Sequence, residues 1–318
     1  VQLSQKRLGY IPKHLVEHMP LGTDPALTVT GSFRANKEDK YDRVSIGLNS
    51  RIPYIYYRDI ENNQIVIDLY SSKSNSNWIT HMENLEMVEY VNIQQLDFDV
   101  SRVVVKLKKR EHGGYKLYYR GNILTLDVKH SPDLRIKGLV IGIDAGHGGS
   151  NLGAVSPSGI MEKDLNLDMA LTLKRELERR GAKVVMSRDE DINLSMQERL
   201  NIFLDADVDL MISIHCNAGG NPLRPMGVST YYRHLENRDL AQSILNRMLE
   251  LDVNNFGLIG NFNFSLNAPT EFPNVLVETL FLSSLPDEVM MADKRFRDRL
   301  MKKVVKGLND YLRMLKRQ

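Results

Sequence analysis

The alternation of apolar and polar positions divides the chain near residue 130. Before that point, apolar residues recur at every second position over short runs bounded by Asn, Gly, Ser and Asp, which is the pattern of half-buried strands. These runs are Arg43–Leu48, Gln64–Leu69, Ser101–Leu107, Tyr115–Tyr119 and Asn122–Val128. Because no long helical pattern interrupts them, residues 27–129 are predicted to form an antiparallel β-sandwich.

From residue 138 onward, short apolar runs alternate with helical patterns. Predicted strands are Leu139–Ile143, Ala182–Met186, Leu210–Ile214 and a strand through Val275–Glu278. Apolar residues spaced three or four apart predict helices with inward faces at Leu165, Met169, Leu173 and Leu177; at Met196, Leu200, Phe203 and Leu204; at Leu240, Ile244, Leu245 and Met248; and at Phe296, Leu300, Val304, Leu308 and Leu312. Ser195 and Glu198 have the spacing of a capping box. Residues 138–318 are therefore predicted to be a three-layer α/β domain with a mainly parallel sheet.

Three shorter segments complete the predicted organisation. Residues 1–22 form either an N-terminal arm or the remnant of a domain, since Gly9–Val16 resembles the last strand of a bacterial SH3-like domain. Residues 23–26 are predicted to be a linker. Residues 130–137, which contain a proline and several charges, are predicted to link the sandwich to the α/β domain.

Composition narrows the class of protein without identifying it. The 318 residues are 42% apolar and 26% charged, as in an ordinary soluble globular protein. A net charge of +2 gives no case for a nucleic-acid partner or an acidic membrane surface, and no apolar run approaches the ~20 residues of a spanning helix. The single cysteine, Cys216, excludes an internal disulfide and a cysteine-based zinc site. Because the chain begins at Val1, we expect a fragment, in which a missing signal peptide has no meaning.

Four polar residues occur where the predicted strands end or where burial is expected. His147 follows the first strand on a glycine-rich turn, Glu162 opens the first helix, His215 ends the third strand, and Glu278 lies within an apolar strand. Two imidazoles and a carboxylate can hold zinc and leave a fourth position for water. Bound zinc lowers the pKa of that water toward ~7, and a second carboxylate can move its proton to a leaving amine.

Each of these residues also has an ordinary structural explanation. The turn after the first strand could be a phosphate loop or a plain turn with a surface histidine, although GHGG matches neither GxGxxG nor a Walker loop. Glu162 could be a first-turn carboxylate favoured by the helix dipole. Glu278 could pair with a buried arginine such as Arg188 or Arg199. His234 is interpreted as a surface residue.

The longer motifs carry a resemblance to a known family. IGIDAGHGGSNLGAVSPSGIMEKDLNLDMA, MSRDEDINLSMQERLNIFLDADVDLMISIHCNA, GVSTYYR and NVLVETLFLS together resemble the zinc-dependent N-acetylmuramoyl-L-alanine amidases of type 3, and they occur in the family order over 138–315. The strands of residues 27–129 are similar to an AMIN domain. The resemblance implies that His147, Glu162 and His215 bind one Zn²⁺ per chain and that Glu278 is catalytic.

The same resemblance implies a substrate, partners and a location. The expected reaction is hydrolysis of the amide between N-acetylmuramic acid and L-alanine of the peptidoglycan stem peptide. Peptidoglycan is the expected partner, with an activator protein or the division machinery as a further one, and the protein is expected to be exported to the periplasm or cell envelope. A zinc peptidase that cuts within the stem peptide and a non-catalytic peptidoglycan-binding scaffold remain as alternatives.

Several positions depart from the family pattern around the site. Cys216 stands where alanine is usual, Thr279-Leu280 replaces a small residue followed by glycine, and Asn267 replaces a common arginine. Ser283-Ser284 stands where Ser-Asn is usual. The interval between His215 and Glu278 is too short for the extra inhibitory helix of some relatives, which predicts an open site. Asn217 either orients substrate or forms a turn.

Overall fold

The computed structural model describes residues 2–4, 6–10, 12–15, 17, 20, 27–76, 78–82, 84–110 and 113–317. The chain divides into two units, Val1–His130 and Ser131–Gln318. At the N-terminus, β1 (Gln2–Ser4) and β2 (Arg7–Leu8) form a small antiparallel pair.

The strand predicted over Gly9–Val16 is wrong for the residues that the structure describes there. Gly9, Tyr10 and Pro12 have no regular structure, and Lys13–Leu15 forms a 3₁₀ turn. Pro12 has no backbone N–H to donate to a strand ladder, which disfavours a strand at this point. The predicted linker at residues 23–26 lies outside the described residues.

The first unit is an all-β sandwich. Its strands are β3 (Thr28–Lys37), β4 (Tyr41–Leu48), β5 (Tyr54–Asp59), β6 (Gln64–Tyr70), β7 (Ser72–Lys73), β8 (Ile79–His81), β9 (Val88–Asp97), β10 (Val100–Leu107), β11 (Tyr115–Arg120) and β12 (Ile123–Lys129). One sheet has the order β5-β6-β10-β9, and the other has β11-β12-β4-β3-β7 with β8 also paired to β3. Every pair is antiparallel except those of the short β7 and β8 with β3.

The core of the sandwich follows from the alternation in the sequence. In β4, Val44, Ile46 and Leu48 are buried while the residues between them are partly exposed. Asp42, on the same face, is fully buried but accepts hydrogen bonds from the backbone N–H groups of residues 86–88. A buried carboxylate with several donors does not carry the cost of an unpaired one.

The second unit is an α/β domain. Its elements are β13 (Val140–Ala145), α1 (Glu162–Glu178), β14 (Lys183–Met186), α2 (Met196–Asp205), β15 (Leu210–Asn217), β16 (Val228–Tyr231), α3 (Arg238–Met248), β17 (Asn255–Ile259), β18 (Asn274–Phe281), α4 (Leu285–Ala292) and α5 (Lys294–Leu315). The sheet order is β14-β13-β15-β18-β16-β17, and only the β16–β18 pair is antiparallel. The predicted fold class, an all-β domain followed by a mainly parallel α/β domain, is confirmed.

The sheet of the second unit is covered on both faces. Ile141 and Ile143 of β13 point to the core formed with α1, α3 and α5. Val140 and the neighbouring Met211 contribute instead to a second core around Phe203 of α2. Alternate residues of a strand point to opposite faces, so each central strand is buried on both sides. The carboxyl ends of β13, β15 and β18 consequently meet at one edge, where a site can form.

Helix α2 departs from its predicted inward face. Phe203 is buried as predicted, but Met196 is 43% exposed and Arg199 is buried in its place. Met196 is the first residue of the helix. The predicted capping box is present, with reciprocal hydrogen bonds between Ser195 and Glu198.

Loss of this cap is expected to have a measurable cost. Ser195→Ala should lower the free energy of unfolding by about 1 kcal/mol, because the Glu198 amide loses its acceptor. Chemical denaturation measures the change, with Gln197→Ala at an exposed position of the same helix as the control. Equal stability of the two variants would contradict this assignment.

Among the residues that the structure describes, no helix combines the length and apolar character needed to cross a membrane.

Candidate metal centre

His147, Glu162 and His215 converge at the carboxyl edge of the sheet. One potential ligand atom from each of them lies within 4.8 Å of the others. His147 Nε2 is 3.2 Å and His215 Nδ1 is 3.1 Å from Glu162 Oε1. In a tetrahedral zinc site with bonds near 2.0–2.1 Å, ligand atoms lie about 3.3–3.4 Å apart. The three side chains therefore fit a metal ion in both donor chemistry and spacing.

His147 is presented by an unusual backbone conformation. Its φ is +61°, a left-handed value that is costly for a residue with a side chain and that persists only where the surroundings impose it. His147 Nδ1 lies 2.9 Å from Asn151 Oδ1. That contact lets the Nδ1–H group donate to Asn151 and directs Nε2 toward Glu162, which is how metal-binding imidazoles are commonly oriented.

His215 lies at the end of β15 against a glycine. A Cβ atom on Gly146 would collide with the His215 imidazole, so only glycine leaves room for the ring at this position. The His147 and His215 rings are 5.0 Å apart in an edge-on arrangement. Burial by itself would lower the pKa of His215, but the hydrogen bond with Glu162 and the charges of nearby carboxylates, Glu278 first, raise that pKa to about 8.

Glu162 is buried and held by several donors. Its Oε2 accepts from the Ala154 amide at 2.7 Å, and its Oε1 accepts from the Cys216 amide at 3.0 Å and Asn166 Nδ2 at 3.1 Å. Burial would raise the pKa of Glu162, but the hydrogen bonds from His147 and His215 outweigh it and hold the pKa well below its ordinary value. Glu162 is thus a carboxylate anion with a fixed orientation, as a metal ligand requires.

Glu278 lies on β18 in register with His215 of the adjacent strand β15. It is 8% exposed, and its Oε2 is buried without a hydrogen-bond partner among the described residues. Burial raises its pKa to about 7. A carboxyl group with a pKa near neutrality can accept a proton and return it at similar cost, as a general base and acid must.

The raised pKa of Glu278 predicts a pH-dependent effect on stability in the metal-free protein. Between its ordinary pKa of 4.5 and about 7, the folded state keeps a proton that the unfolded state releases. The contribution of Glu278 to stability should therefore fall over that range by up to about 3 kcal/mol.

Glu278→Gln removes this titration, so its stability relative to wild type should rise between pH 5 and pH 8. Urea unfolding at the two pH values measures the difference, with Glu178→Gln, an exposed position on α1, as the control. A difference that does not change with pH would contradict the interpretation.

Two buried arginines hold the loop that carries His147. Arg199 donates from Nη1 to Asp144 Oδ1 at 2.6 Å and to the Ala145 carbonyl, and from Nη2 to the His147 carbonyl. Arg188 donates from Nε to the Ala145 carbonyl and from Nη2 to the Gly146 carbonyl. The suggestion that Arg188 or Arg199 pairs with Glu278 is therefore wrong: both donate to carbonyl groups of this loop, and Arg199 pairs with Asp144.

Several supporting residues were not identified from the sequence. Asn166 lies four positions after Glu162 on α1, a spacing that places both on one helical face. Asn151 follows His147 by four residues in a turn, for which no periodicity exists. Asp144 lies in a buried strand and Arg199 on an apolar helix face. Because a buried charge needs a partner of opposite charge, these two positions could have been predicted to form a pair.

The remaining residues singled out from sequence lie around the site or away from it. Cys216 is buried, and burial raises the pKa of its thiol well above the ordinary value, so it stays protonated. Asn217 Nδ2 lies 3.4 Å from the Tyr231 hydroxyl. Thr279 donates to the His215 carbonyl at 3.0 Å. His234 is half-buried rather than exposed, and its Nε2 lies 2.9 Å from the Ala268 carbonyl oxygen.

No additional α-helix covers the site from the interval between His215 and Glu278, all of which is described. The one α-helix there is α3, whose buried side chains belong to the core shared with α5. The side chains of His147 and His215 remain 25% and 17% exposed. This arrangement agrees with the predicted open site.

The fold and these residues give an α/β domain with a candidate metal centre of two histidines and one carboxylate, and a buried carboxyl group beside it. Comparison with known proteins gives the family. The profile of the family described as N-acetylmuramoyl-L-alanine amidase matches residues 141–310, and that of the AMIN domain matches residues 32–128. The chain belongs to the N-acetylmuramoyl-L-alanine amidase family, and the resemblance found in the sequence is confirmed.

Individual relatives agree with this assignment. The chain is 32% identical over 200 residues to N-acetylmuramoyl-L-alanine amidase LytC of Bacillus subtilis, covering 61% of this chain and 40% of that protein. It is 33% identical over 183 residues to the probable cell wall amidase LytH of Staphylococcus aureus, covering 55% and 59%. The chain thus spans about half the length of these curated relatives. The solved catalytic domain of the amidase CwlV from Bacillus (Paenibacillus) polymyxa var. colistinus superposes with a TM-score of 0.52 at 29% identity, covering 55% of this chain and 98% of that one.

Proposed function

We propose that the protein is a zinc-dependent N-acetylmuramoyl-L-alanine amidase that hydrolyses the amide between N-acetylmuramic acid and L-alanine of the stem peptide. The observation that carries the proposal is the convergence of His147, Glu162 and His215 beside the buried carboxyl of Glu278. Family membership supplies the substrate class. We further propose that the protein acts at the cell envelope after export, with its AMIN unit directing it to peptidoglycan.

The proposed ligand set is one Zn²⁺ held by His147, Glu162 and His215. Two neutral donors and one carboxylate suit zinc and leave one coordination position open. When bound, zinc would polarise the scissile carbonyl and acidify a water molecule. The hydrogen bonds of Glu162 and the contact of His147 with Asn151 would hold these ligands in place.

Glu278 is proposed to move the proton. Its carboxylate takes a proton from the attacking water as the new C–O bond forms at the carbonyl carbon. The same carboxyl then gives that proton to the L-alanine nitrogen as the C–N bond breaks. Burial, which raises the pKa of this carboxyl to about 7 in the metal-free protein, favours proton exchange near neutral pH.

The two alternatives differ from this proposal in observable ways. A peptidase acting within the stem would leave L-alanine attached to the glycan. A non-catalytic scaffold would have no need for the unpartnered buried Glu278 Oε2, whose burial is costly. An activator protein or contact with the division machinery stays a prediction.

Product analysis tests the proposal. Purified peptidoglycan is incubated with the zinc-loaded protein, and the soluble products are separated and sequenced by mass spectrometry. We expect intact stem peptides with a free L-alanine amino group. Fragments that begin further along the stem would establish the peptidase, and an absence of products from zinc-loaded protein would favour the scaffold.

A further inference from the structure

The most exposed side chains of α5 all carry positive charge. Every exposed side chain of this 22-residue helix is lysine or arginine. These residues are Lys294, Arg295, Arg299, Lys302, Lys306 and Arg313. The opposite face, which includes Phe296, Leu300 and Val304, is buried in the core. The net charge of the whole chain is only +2, so this local excess of positive charge is not evident from composition.

Five of these cations form one line, which we call the basic stripe: Arg295, Arg299, Lys302, Lys306 and Arg313. Successive members are separated by four, three, four and seven residues, spacings that keep side chains on one face of a helix. At 1.5 Å per residue the stripe is about 27 Å long. It therefore offers a straight row of charges rather than a compact cluster.

Neighbouring acidic groups are already engaged. Asp293 caps α5 by accepting from the Arg295 amide, and Asp298 pairs with Lys294. Asp168 pairs with Arg297 and Lys294. Asp310, which lies on α5 between Lys306 and Arg313, pairs with Arg247. Glu250 pairs with Arg247 and Lys303. No member of the basic stripe forms an ion pair with the residues that the structure describes.

The basic stripe does not stabilise the helix that carries it. Like charges three or four residues apart on a helix repel each other, and Arg295 lies in the first turn, where the helix dipole disfavours a cation. A surface shaped only for solubility mixes both signs of charge. A partner that supplies negative charge along the helix would offset this repulsion.

We propose that the basic stripe binds a linear phosphodiester polymer of the cell wall. Three of its five members are arginines, whose planar guanidinium groups match phosphate oxygens in pairs. Because the apolar face of α5 is buried and none of its exposed side chains is apolar, the helix lacks what an amphipathic helix inserts into a lipid surface. A linear polyanion fits the length and straightness of the stripe.

The basic stripe begins beside the middle of α1. Near the start of α5, Lys294 is 3.4 Å from Asp168, and Asp298 accepts from Thr172 at 3.1 Å. Both partners belong to α1, six and ten residues after Glu162, so the start of α5 lies about 9–15 Å along that helix from the site. A polymer of the cell wall bound to the stripe would hold the protein near its substrate. That consequence rests on the proposed function, whereas binding itself does not.

Binding of long-chain inorganic polyphosphate by the full chain tests the proposal. The variant Arg299→Gln/Lys302→Gln/Lys306→Gln is compared with Lys137→Gln/Lys183→Gln/Arg224→Gln, which removes the same charge from exposed positions outside α5. With about 0.7 counterions released per contact, removing three contacts should reduce the slope of log K against log salt by about 2. Affinity at low salt should fall at least about tenfold in the stripe variant, and less than about threefold in the control.

Thermal unfolding separates binding from folding. Because repulsion within the helix is relieved, the stripe variant should melt at or above the wild-type temperature while polyphosphate no longer raises it. Equal loss of binding in the control variant would overturn the proposal. So would wild-type binding to phosphatidylglycerol vesicles without binding to polyphosphate, which would indicate a lipid surface. Release of stem peptides from polymer-free peptidoglycan should be unchanged, so failure of this proposal is distinguishable from failure of the proposed amidase activity.

Discussion

Glu278→Gln is expected to lower the rate of stem-peptide release by roughly 10³-fold while the protein keeps its metal. The substitution preserves the shape of the side chain but removes the only buried carboxyl beside the ligands that has an unpartnered oxygen among the described residues. General acid–base groups contribute about 10²- to 10⁴-fold, and here one group is proposed to act in both directions. Glu278 is not one of the three converging ligands.

Rates and zinc content are measured on the same preparations to separate the two roles. Glu178→Gln, an exposed position on α1, is the control and should retain the wild-type rate. A Glu278→Gln protein that cleaves within about threefold of wild type would remove Glu278 from the mechanism. Loss of zinc together with activity would instead assign Glu278 to metal binding.

Arg199→Met should destabilise the fold by about 3–5 kcal/mol. Arg199 and Asp144 are an ion pair with almost no exposure, 2% and 0% for their side chains, and removing one member of such a pair leaves an uncompensated buried charge. The substitution also removes the donors to the Ala145 and His147 carbonyls. Because those bonds support the left-handed conformation of His147, zinc affinity should fall about 10- to 100-fold, as it does when supporting partners of ligands are lost.

Denaturation and zinc titration of matched variants measure these effects. Arg179→Met, at a position with 68% side-chain exposure, is the control. Combining Arg199→Met with Asp144→Asn removes the unpaired buried carboxylate, so the double variant should be more stable than Arg199→Met alone. A loss below about 1 kcal/mol for Arg199→Met, or a double variant less stable than the single one, would contradict this account of the loop.

Periodicity predicted most of the α/β domain because its strands and helices bury regular faces. Leu240, Ile244, Leu245 and Met248 were all placed correctly on the inner face of α3. Arg199 shows where prediction from periodicity fails. An arginine in the pattern is predicted to be exposed unless a buried partner such as Asp144 is known. That partner lies 55 residues away in sequence, and local pattern carries no information about it.

Part of the site could be predicted from the sequence, because regular strands place its residues. His147, His215 and Glu278 occur at or near the carboxyl ends of strands, which parallel pairing brings to one edge. The conformation of His147 and its contact with Asn151 depend on an irregular turn, for which no repeat exists. Gly146 illustrates the same limit, since the collision that excludes a larger residue there involves His215 of another strand.

Anomalous diffraction at the zinc edge, from crystals grown with zinc, tests the central claim most directly. We predict one peak per chain, bonded to His147, Glu162 and His215 at about 2.0–2.2 Å. No peak at this position, or a peak bonded to other residues, would contradict the account of the site and the function proposed for it.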